Sequence, residues 1–248
     1  MLEINNIYCI DALEGLKKIE NDSIDSGLSS PPYNKRGLML GKKPVGGDWS
    51  GYITYENYDD NIPEKDYQNM QIDILNEIQR ILKPGGSFFY NHKNRRYNKT
   101  EFSPNEWIRK CNLNLYQTII WDKKKDVNNN KYFLQPIYET IYWFTKDNKK
   151  SPKFFKKRLK EQKNIWKISS NINLPHPATF PEELAERCIL STTDVGDLVI
   201  DPFVGIGTTA VVANRLKRNY IGFDHSKEYV KISIENIKIG KIRKKKEI

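Results

Sequence analysis

Short apolar runs alternate with amphipathic stretches along most of the 248 residues. Such alternation is typical of a parallel sheet with helices on both faces, because consecutive parallel strands need a crossover connection. The predicted strands cover residues 2–10, 24–29, 87–91, 113–121, 138–145, 198–200 and 220–223. The predicted helices cover residues 12–20, 64–82, 208–216 and 227–239. Two further helices are predicted, a short one that begins at Ser103 and one that is capped by Thr179 and Glu182 and runs through Leu190. The sequence therefore predicts one doubly wound α/β domain over residues 1–248.

Charge and cysteine content narrow the class of protein further. Lys and Arg number 41 against 31 Asp and Glu, a net charge of +10 that favours a polyanionic partner. No apolar run approaches the ~20 residues of a membrane span, and the N-terminus lacks a signal-peptide pattern. Three widely spaced cysteines provide neither a disulfide framework nor a metal cluster. We expect a protein of a reducing compartment without membrane or metal partners.

The basic excess is concentrated between residues 146 and 163, where nine Lys and Arg residues accompany two acidic residues. Phe154 and Phe155 lie within this run. Basic side chains bind phosphates and aromatic rings stack on bases, so the run favours contact with nucleic acid over a merely solvated helix. The candidate contacts are Lys153, Lys156, Lys157 and Arg158.

A glycine-containing turn follows the predicted strand at 198–200 and reads Asp201-Pro202-Phe203-Val204-Gly205-Ile206-Gly207-Thr208-Thr209. The next predicted strand leads to Asp224, 23 residues after Asp201. Doubly wound nucleotide-binding folds place at this point an acid that accepts hydrogen bonds from ribose hydroxyls. The pattern favours an adenosine-containing cofactor. NAD is the weaker alternative, because Ala210 replaces the third glycine of its usual fingerprint.

Ser30-Pro31-Pro32-Tyr33 follows the predicted strand at 24–29. Its two prolines fix φ and donate no hydrogen bond, so Pro31 can present its carbonyl outward from a rigid turn. The Ser30 oxygen and this carbonyl can hold an amino group while Tyr33 stacks on a flat base. Residues 34–61 then contain five glycines without periodicity and are predicted to form a lid that contacts DNA, with Lys35 and Arg36 as candidate contacts.

Together these motifs resemble the amino-group DNA methyltransferases that act on cytosine N4 or adenine N6. Their order, with the catalytic motif first, resembles the β-type permutation of that family. The resemblance covers residues 2–239 and implies a Rossmann-like sheet of the seven-stranded type, with a short target-recognition insertion at 146–170. It also implies S-adenosylmethionine as cofactor and double-stranded DNA as partner, with no metal. A homodimer or a cognate restriction subunit stays open, as does the setting of a bacterial, cytoplasmic restriction–modification pair.

Residue roles follow from the resemblance alone. It implies catalytic roles for Ser30, Pro31, Pro32 and Tyr33, and it places Tyr138-Glu139 on the strand beside the target base. The implied cofactor contacts are Asp11, Asp201, Pro202, Phe203, Gly205, Gly207, Thr208, Thr209, Asp224, His176 and Phe180.

The implied chemistry is orientation of a poorly nucleophilic amine by hydrogen bonds to Ser30 Oγ and the Pro31 carbonyl. The base must flip out of the duplex to be reached. Serine at the first motif position favours cytosine N4, with adenine N6 as the alternative. Methylation of RNA or of a protein amide, and an inactive cofactor-binding protein that recognises DNA, rank lower. Methylation at cytosine C5 is disfavoured, because no cysteine follows a proline.

Overall fold

The computed structural model describes residues 2–34, 62–97, 99–123, 134, 136–155, 158–159, 163–170 and 179–247. The strands are β1 (Asn6–Cys9), β2 (Ile24–Ser29), β3 (Leu82–His92), β4 (Arg95–Tyr97), β5 (Thr100–Phe102), β6 (Asn114–Asp122), β7 (Tyr138–Thr145), β8 (Ile165–Lys167), β9 (Leu198–Asp201) and β10 (Asn219–Asp224). The helices are α1 (Ala12–Lys17), α2 (Glu64–Ile81), α3 (Asn105–Ile108), α4 (Glu182–Thr192), α5 (Thr208–Arg215) and α6 (Lys227–Ile239).

Eight of these strands form one sheet in the order β1-β10-β9-β2-β3-β7-β6-β8, and β4 and β5 form a separate hairpin. The pairs among β1, β10, β9, β2 and β3 are all parallel, whereas β7 runs antiparallel to both of its neighbours. The predicted mostly parallel α/β fold is confirmed. The sheet has one strand more than the expected seven, because β8 pairs with β6 at the edge and buries Trp166.

The helices cover both faces of the sheet, as expected for a doubly wound fold. Apolar side chains of α1, α2 and α3 pack on one face, and those of α4, α5 and α6 pack on the other. Strand β3 serves both layers, because Phe88 and Tyr90 enter the first while Phe89 enters the second. Burial on both faces explains the uninterrupted aromatic run of Phe88, Phe89 and Tyr90 in β3.

Several predicted element boundaries are wrong. The strand predicted at 2–10 is shorter, since β1 covers only Asn6–Cys9. The N-cap of α4 is Pro181 and not Thr179, and Pro181 makes no side-chain cap hydrogen bond. Residues 83–86 do not separate α2 from the following strand, since β3 begins at Leu82. There the ladder is irregular, with Leu82 opposite Ile24 and Ser87 opposite Ser26, so these residues bulge from the strand.

Several predictions fall outside the described residues. These are the predicted lid apart from Asn34, together with Lys35, Arg36, Lys156, Lys157 and His176. Asn34 itself donates to Ile62 O at 2.8 Å and accepts from Ile62 N at 3.0 Å, so the chain is joined on either side of residues 35–61. Within the described residues, none of the helices combines the length and apolar character that crossing a membrane requires.

Candidate active site

The motifs predicted to be catalytic and cofactor-binding meet at the centre of the sheet. Strands β2 and β9 are parallel neighbours, so Ser30 and Pro202 follow adjacent strand ends. From this pair the chain continues in opposite directions, through α5 to β10 and through α2 to β3. Open α/β sheets bind ligands at such a switch point, in the crevice outside the carboxyl ends of the strands.

A cavity of about 300 Å³ lies at this point. It is lined by Ile10, Asp11, Ala12, Leu13, Ser30, Pro32, Met70, Ile74, Pro202, Phe203, Gly205, Asp224, His225 and Tyr229. Seven of the residues predicted for the site therefore share one cavity, although they come from both ends of the chain. Pro31, Tyr33, Asp201, Gly207, Thr208, Thr209 and Phe180 do not line it.

Asp201 organises the turn after β9 from below the cavity. It is buried and accepts hydrogen bonds from Ser29 Oγ at 2.6 Å, Thr209 Oγ1 at 2.6 Å and Phe203 N at 3.0 Å. Burial, only partly offset by these bonds, raises the pKa of Asp201 to about 6. This carboxyl therefore ties β2 to the glycine turn, whose residues Pro202, Phe203 and Gly205 line the cavity.

Gly207 packs the turn against α6. It has φ +93° at the N-cap of α5, and a Cβ there would lie 2.9 Å from Ser233 Cβ. The neighbouring Ile206 O accepts from Asn236 Nδ2 at 2.9 Å, which fixes the same contact. Gly207 is needed for conformation and close packing, not for contact with the cavity.

Two acids project into the cavity from neighbouring strand ends. Asp224 accepts from Gly205 N at 3.1 Å and Ser226 N at 2.8 Å, and burial raises the pKa of its carboxyl. Asp11 caps α1 by accepting from the backbone N–H groups of residues 13 and 14 at 2.9 and 3.2 Å. Each acid is held by backbone donors and still lines the cavity.

Beside the cavity, Ser30 and Tyr33 belong to a compact polar network. The Tyr33 hydroxyl lies 2.9 Å from Ser30 Oγ and donates to Glu139 Oε2 at 3.1 Å. Asn91 Nδ2, from the end of β3, donates to Glu139 Oε2 at 2.9 Å and to the Tyr33 oxygen at 3.1 Å. Lys123 Nζ lies 3.5 Å from Glu139 Oε1. Neither Asn91 nor Lys123 belongs to a motif that can be recognised in the sequence. Asn91 could have been found only as a polar residue near the end of an apolar strand that pairs with β2.

The Ser30–Tyr33 turn is held rigidly by its neighbours. Tyr67 donates to Pro32 O at 2.8 Å, and Arg95, itself paired with Glu64 at 2.6 Å, donates to Tyr33 O at 3.3 Å. The Tyr33 ring centroid lies 4.4 Å from that of His92, whose pKa is held well below its usual range by burial and then by Arg95. Among the hydrogen bonds of the described residues, none uses the Pro31 carbonyl.

Other predicted site residues lie elsewhere. Lys153 pairs with Asp197 at 3.2 Å, and Arg158 pairs with Asp194 at 2.7 Å. Both acids precede β9, so these cations lie at the end of the parallel strands opposite to Ser30. Phe180 is buried in the core. The described residues contain no cluster of three or more His, Cys, Asp or Glu side chains arranged to hold a metal ion.

The fold and the cavity define a nucleotide-cofactor-binding α/β protein with a second polar site beside the cofactor. A family model described as DNA methylase, for N6 and N4 methyltransferases, matches residues 24–235. The chain belongs to this family of DNA methylases. The type II methyltransferase M.HpaI of Haemophilus parainfluenzae is 30% identical over 93% of this chain and 73% of its own length.

Solved structures share the fold. The PvuII DNA methyltransferase, described as cytosine-N4-specific, superposes with a TM-score of 0.73 and 23% identity, covering 92% of this chain and 84% of that one. A protein of Thermus thermophilus described as a DNA modification methylase, complexed with S-adenosyl-L-methionine, gives a TM-score of 0.64 and 22% identity over 95% and 93% of the two chains.

Proposed function

We propose that this chain transfers a methyl group from S-adenosylmethionine to the exocyclic amine of a flipped base in double-stranded DNA, with cytosine N4 as the target. The observation that supports this proposal is that Ser30 and Asp224 line the same cavity. Membership of the DNA methylase family supports it. The cytosine-N4-specific PvuII enzyme, which shares the fold, supports the choice of base.

The cavity residues suit an adenosine-containing sulfonium cofactor. Asp224 can accept hydrogen bonds from ribose hydroxyls, and Asp11 offers a second carboxylate to the adenine. The apolar side chains of Ile10, Leu13 and Phe203 provide walls for a flat ring. When bound, S-adenosylmethionine supplies an electrophilic methyl group.

The turn beside the cavity orients the nucleophile. Ser30 Oγ and the Pro31 carbonyl accept the two N–H groups of the amine, which directs its lone pair toward the cavity. Because the backbone carbonyls of Pro32 and Tyr33 are held by Tyr67 and Arg95, the geometry is set before the base arrives. Extruding the base costs about a few kcal/mol, which contacts to the flipped base must offset.

The DNA interface in this proposal lies on the side of the catalytic turn. Lys35 and Arg36, which follow Ser30–Tyr33 directly in sequence, stay in it. We do not include Lys153 and Arg158 in this interface, because they form ion pairs at the opposite end of the strands. Action in a bacterial cytoplasm with a restriction partner, or as a homodimer, remains part of the same prediction.

Incubation of the chain with methyl-labelled S-adenosylmethionine and duplex DNA, RNA or protein tests the proposal, with mass spectrometry of the digested DNA. The expected product is N4-methylcytosine. Ser30→Ala should abolish transfer, whereas Ser23→Ala, before β2, should not, since Ser23 Oγ bonds only Glu20 O among the described residues. N6-methyladenine would overturn the assigned base, and label only in RNA or protein would overturn the assigned substrate.

A further inference from the structure

The hydrogen bonds around Tyr33 have a defined direction. A carboxylate accepts only, so the single phenolic proton of Tyr33 points to Glu139 Oε2, 3.1 Å away. The Tyr33 oxygen must then accept from Ser30, whose hydroxyl lies at 2.9 Å. Consequently the Ser30 proton faces Tyr33, and a lone pair of Ser30 Oγ is left for a donor on the cavity side.

Asn91 reinforces this direction. Its side chain is 1% exposed, and the atom 2.9 Å from Glu139 Oε2 is a donor, because an amide oxygen there would repel the carboxylate. The same NH₂ group donates to the Tyr33 oxygen at 3.1 Å and makes a longer contact of 3.4 Å with Ser30 Oγ. Glu139 and the Tyr33 oxygen are thus both supplied with donors, and the Tyr33 proton is kept on the Glu139 side.

We propose that Glu139 receives the proton that the amine loses on methylation, through Tyr33 and Ser30. This inference rests on the proposed methyl transfer. The amine lone pair forms the N–C bond while the C–S bond breaks toward sulfur, which leaves a positively charged, methylated nitrogen. That nitrogen gives a proton to Ser30 Oγ, Ser30 passes its own to the Tyr33 oxygen, and Tyr33 passes its own to Glu139. The products are a neutral thioether, a neutral methylated amine and a neutral carboxylic acid.

The surroundings of Glu139 suit this role. Its side chain is 12% exposed, so water is largely excluded, and a formal positive charge on the nearby nitrogen needs a local acceptor. Among the described residues, the titratable groups that face the network are Tyr33 itself, Lys123 just after β6, and His92 and Lys93 at the end of β3. His92 is neutral, since burial and Arg95 hold its pKa well below the usual range. Glu139 does not touch the base and is therefore a positioning residue that orients two hydroxyls and takes up their proton.

Glu139→Gln tests the inference, because glutamine keeps the shape and an acceptor oxygen but cannot take up the proton. In single-turnover assays we expect the transfer rate to fall roughly 100-fold, the lower range for general-base catalysis. The pH dependence of the transfer rate should also differ between the wild type and the variant, because the variant lacks the proton acceptor. Glu186→Gln, an acid with 42% side-chain exposure on α4, is the matched control and should keep the wild-type rate and pH profile.

A double-mutant cycle separates the relay from a merely structural role. Tyr33→Phe removes the bridging hydroxyl, so adding Glu139→Gln to it should cause little further loss. Additive losses, or a pH dependence of the rate that is the same in Glu139→Gln as in the wild type, would overturn the relay. Melting temperature and cofactor affinity should stay near wild type in both single variants, and a collapse of either would assign Glu139 to the fold instead. A wild-type chain that transfers no methyl group to DNA would overturn the proposed function, and the relay with it.

Discussion

At the scale of single residues, the acids of the site differ in whether they line the cavity or are enclosed behind it. Asp224 lines the cavity while accepting two backbone N–H bonds, whereas Asp201 is enclosed by Ser29, Thr209 and Phe203. The two carboxyls end neighbouring strands of the same motif, yet only one is available to a ligand. Their substitutions should therefore have different consequences.

Asp224→Asn should weaken S-adenosylmethionine binding by about 10- to 100-fold, the loss expected when hydrogen bonds to a charged group are removed. DNA affinity should change little, because Asp224 lies on the cofactor side. Isothermal titration calorimetry and a DNA-binding assay measure the two effects. Unchanged cofactor affinity in a folded Asp224→Asn protein would exclude the ribose contact.

Asp201 should make stability depend on pH. Its folded-state pKa of about 6 lies above the ordinary value of 3.8, so the native state binds the proton more tightly than the unfolded chain does. The contribution is present below pH ~4 and is lost as pH rises through ~6, a change of ~3 kcal/mol in the free energy of unfolding. Asp201→Asn should flatten this part of the profile in denaturant titrations, and an unchanged profile would contradict the buried, proton-binding Asp201.

At the scale of elements, the junction of the glycine turn with α5 and α6 fixes the cavity wall. Gly207 combines a left-handed backbone with a close approach to Ser233 on α6. Gly196, before β9, has a similar φ of +86° but no atom within 4 Å of the Cβ position. The two glycines share the conformational demand and differ only in packing.

Gly207→Ala should destabilise the protein by about 2–4 kcal/mol, since backbone strain and overpacking add. Gly196→Ala should cost only about 1 kcal/mol of strain. Urea unfolding of both variants measures the difference. Equal losses would mean that the contact between the turn and α6 does not restrict position 207.

Elements with a clear local pattern are predictable from sequence, and elements that depend on pairing with a distant segment are not. The strand at 138–145 and the helix at 227–239 are confirmed at their predicted bounds, because burial dictates many consecutive positions. Strand β8 has three residues and owes its existence to pairing with β6, which no local pattern records. Asn91 escapes prediction for the same reason, as its role depends on neighbours that are far away in sequence.

At the scale of the whole molecule, charged side chains lie at both ends of the parallel strands but have different partners. Ser30, Glu139 and Asp224 lie at one end, while Lys153 and Arg158 pair with acids at the other end. The sequence shows the positive charge of the basic segment and so favours DNA as its partner. It does not show that the fold places acidic residues beside these cations. In the structure Lys153 and Arg158 form ion pairs, and their contact with DNA stays a prediction.

Lys153→Ala should lower the free energy of unfolding by up to about 1 kcal/mol, as expected for a surface ion pair, and should leave DNA affinity within about twofold. Lys35→Ala, which follows the catalytic turn, should weaken DNA binding and reduce its salt dependence by about one counterion. Fluorescence anisotropy at several salt concentrations compares them. A larger loss of DNA affinity in Lys153→Ala than in Lys35→Ala would indicate that DNA binds at the opposite end of the strands.

The double hydrogen bond between Asn34 and Ile62 has a consequence for how this scaffold diversifies. Because these two bonds join the chain on either side of the intervening 27 residues, the place of Ser30–Tyr33 does not depend on how many residues lie between Asn34 and Ile62. Grafts from relatives of other sizes should be accommodated at this position while Ser30–Tyr33 keeps its place. Changes of length at this position should therefore leave the turn after β2 and the start of α2 in place.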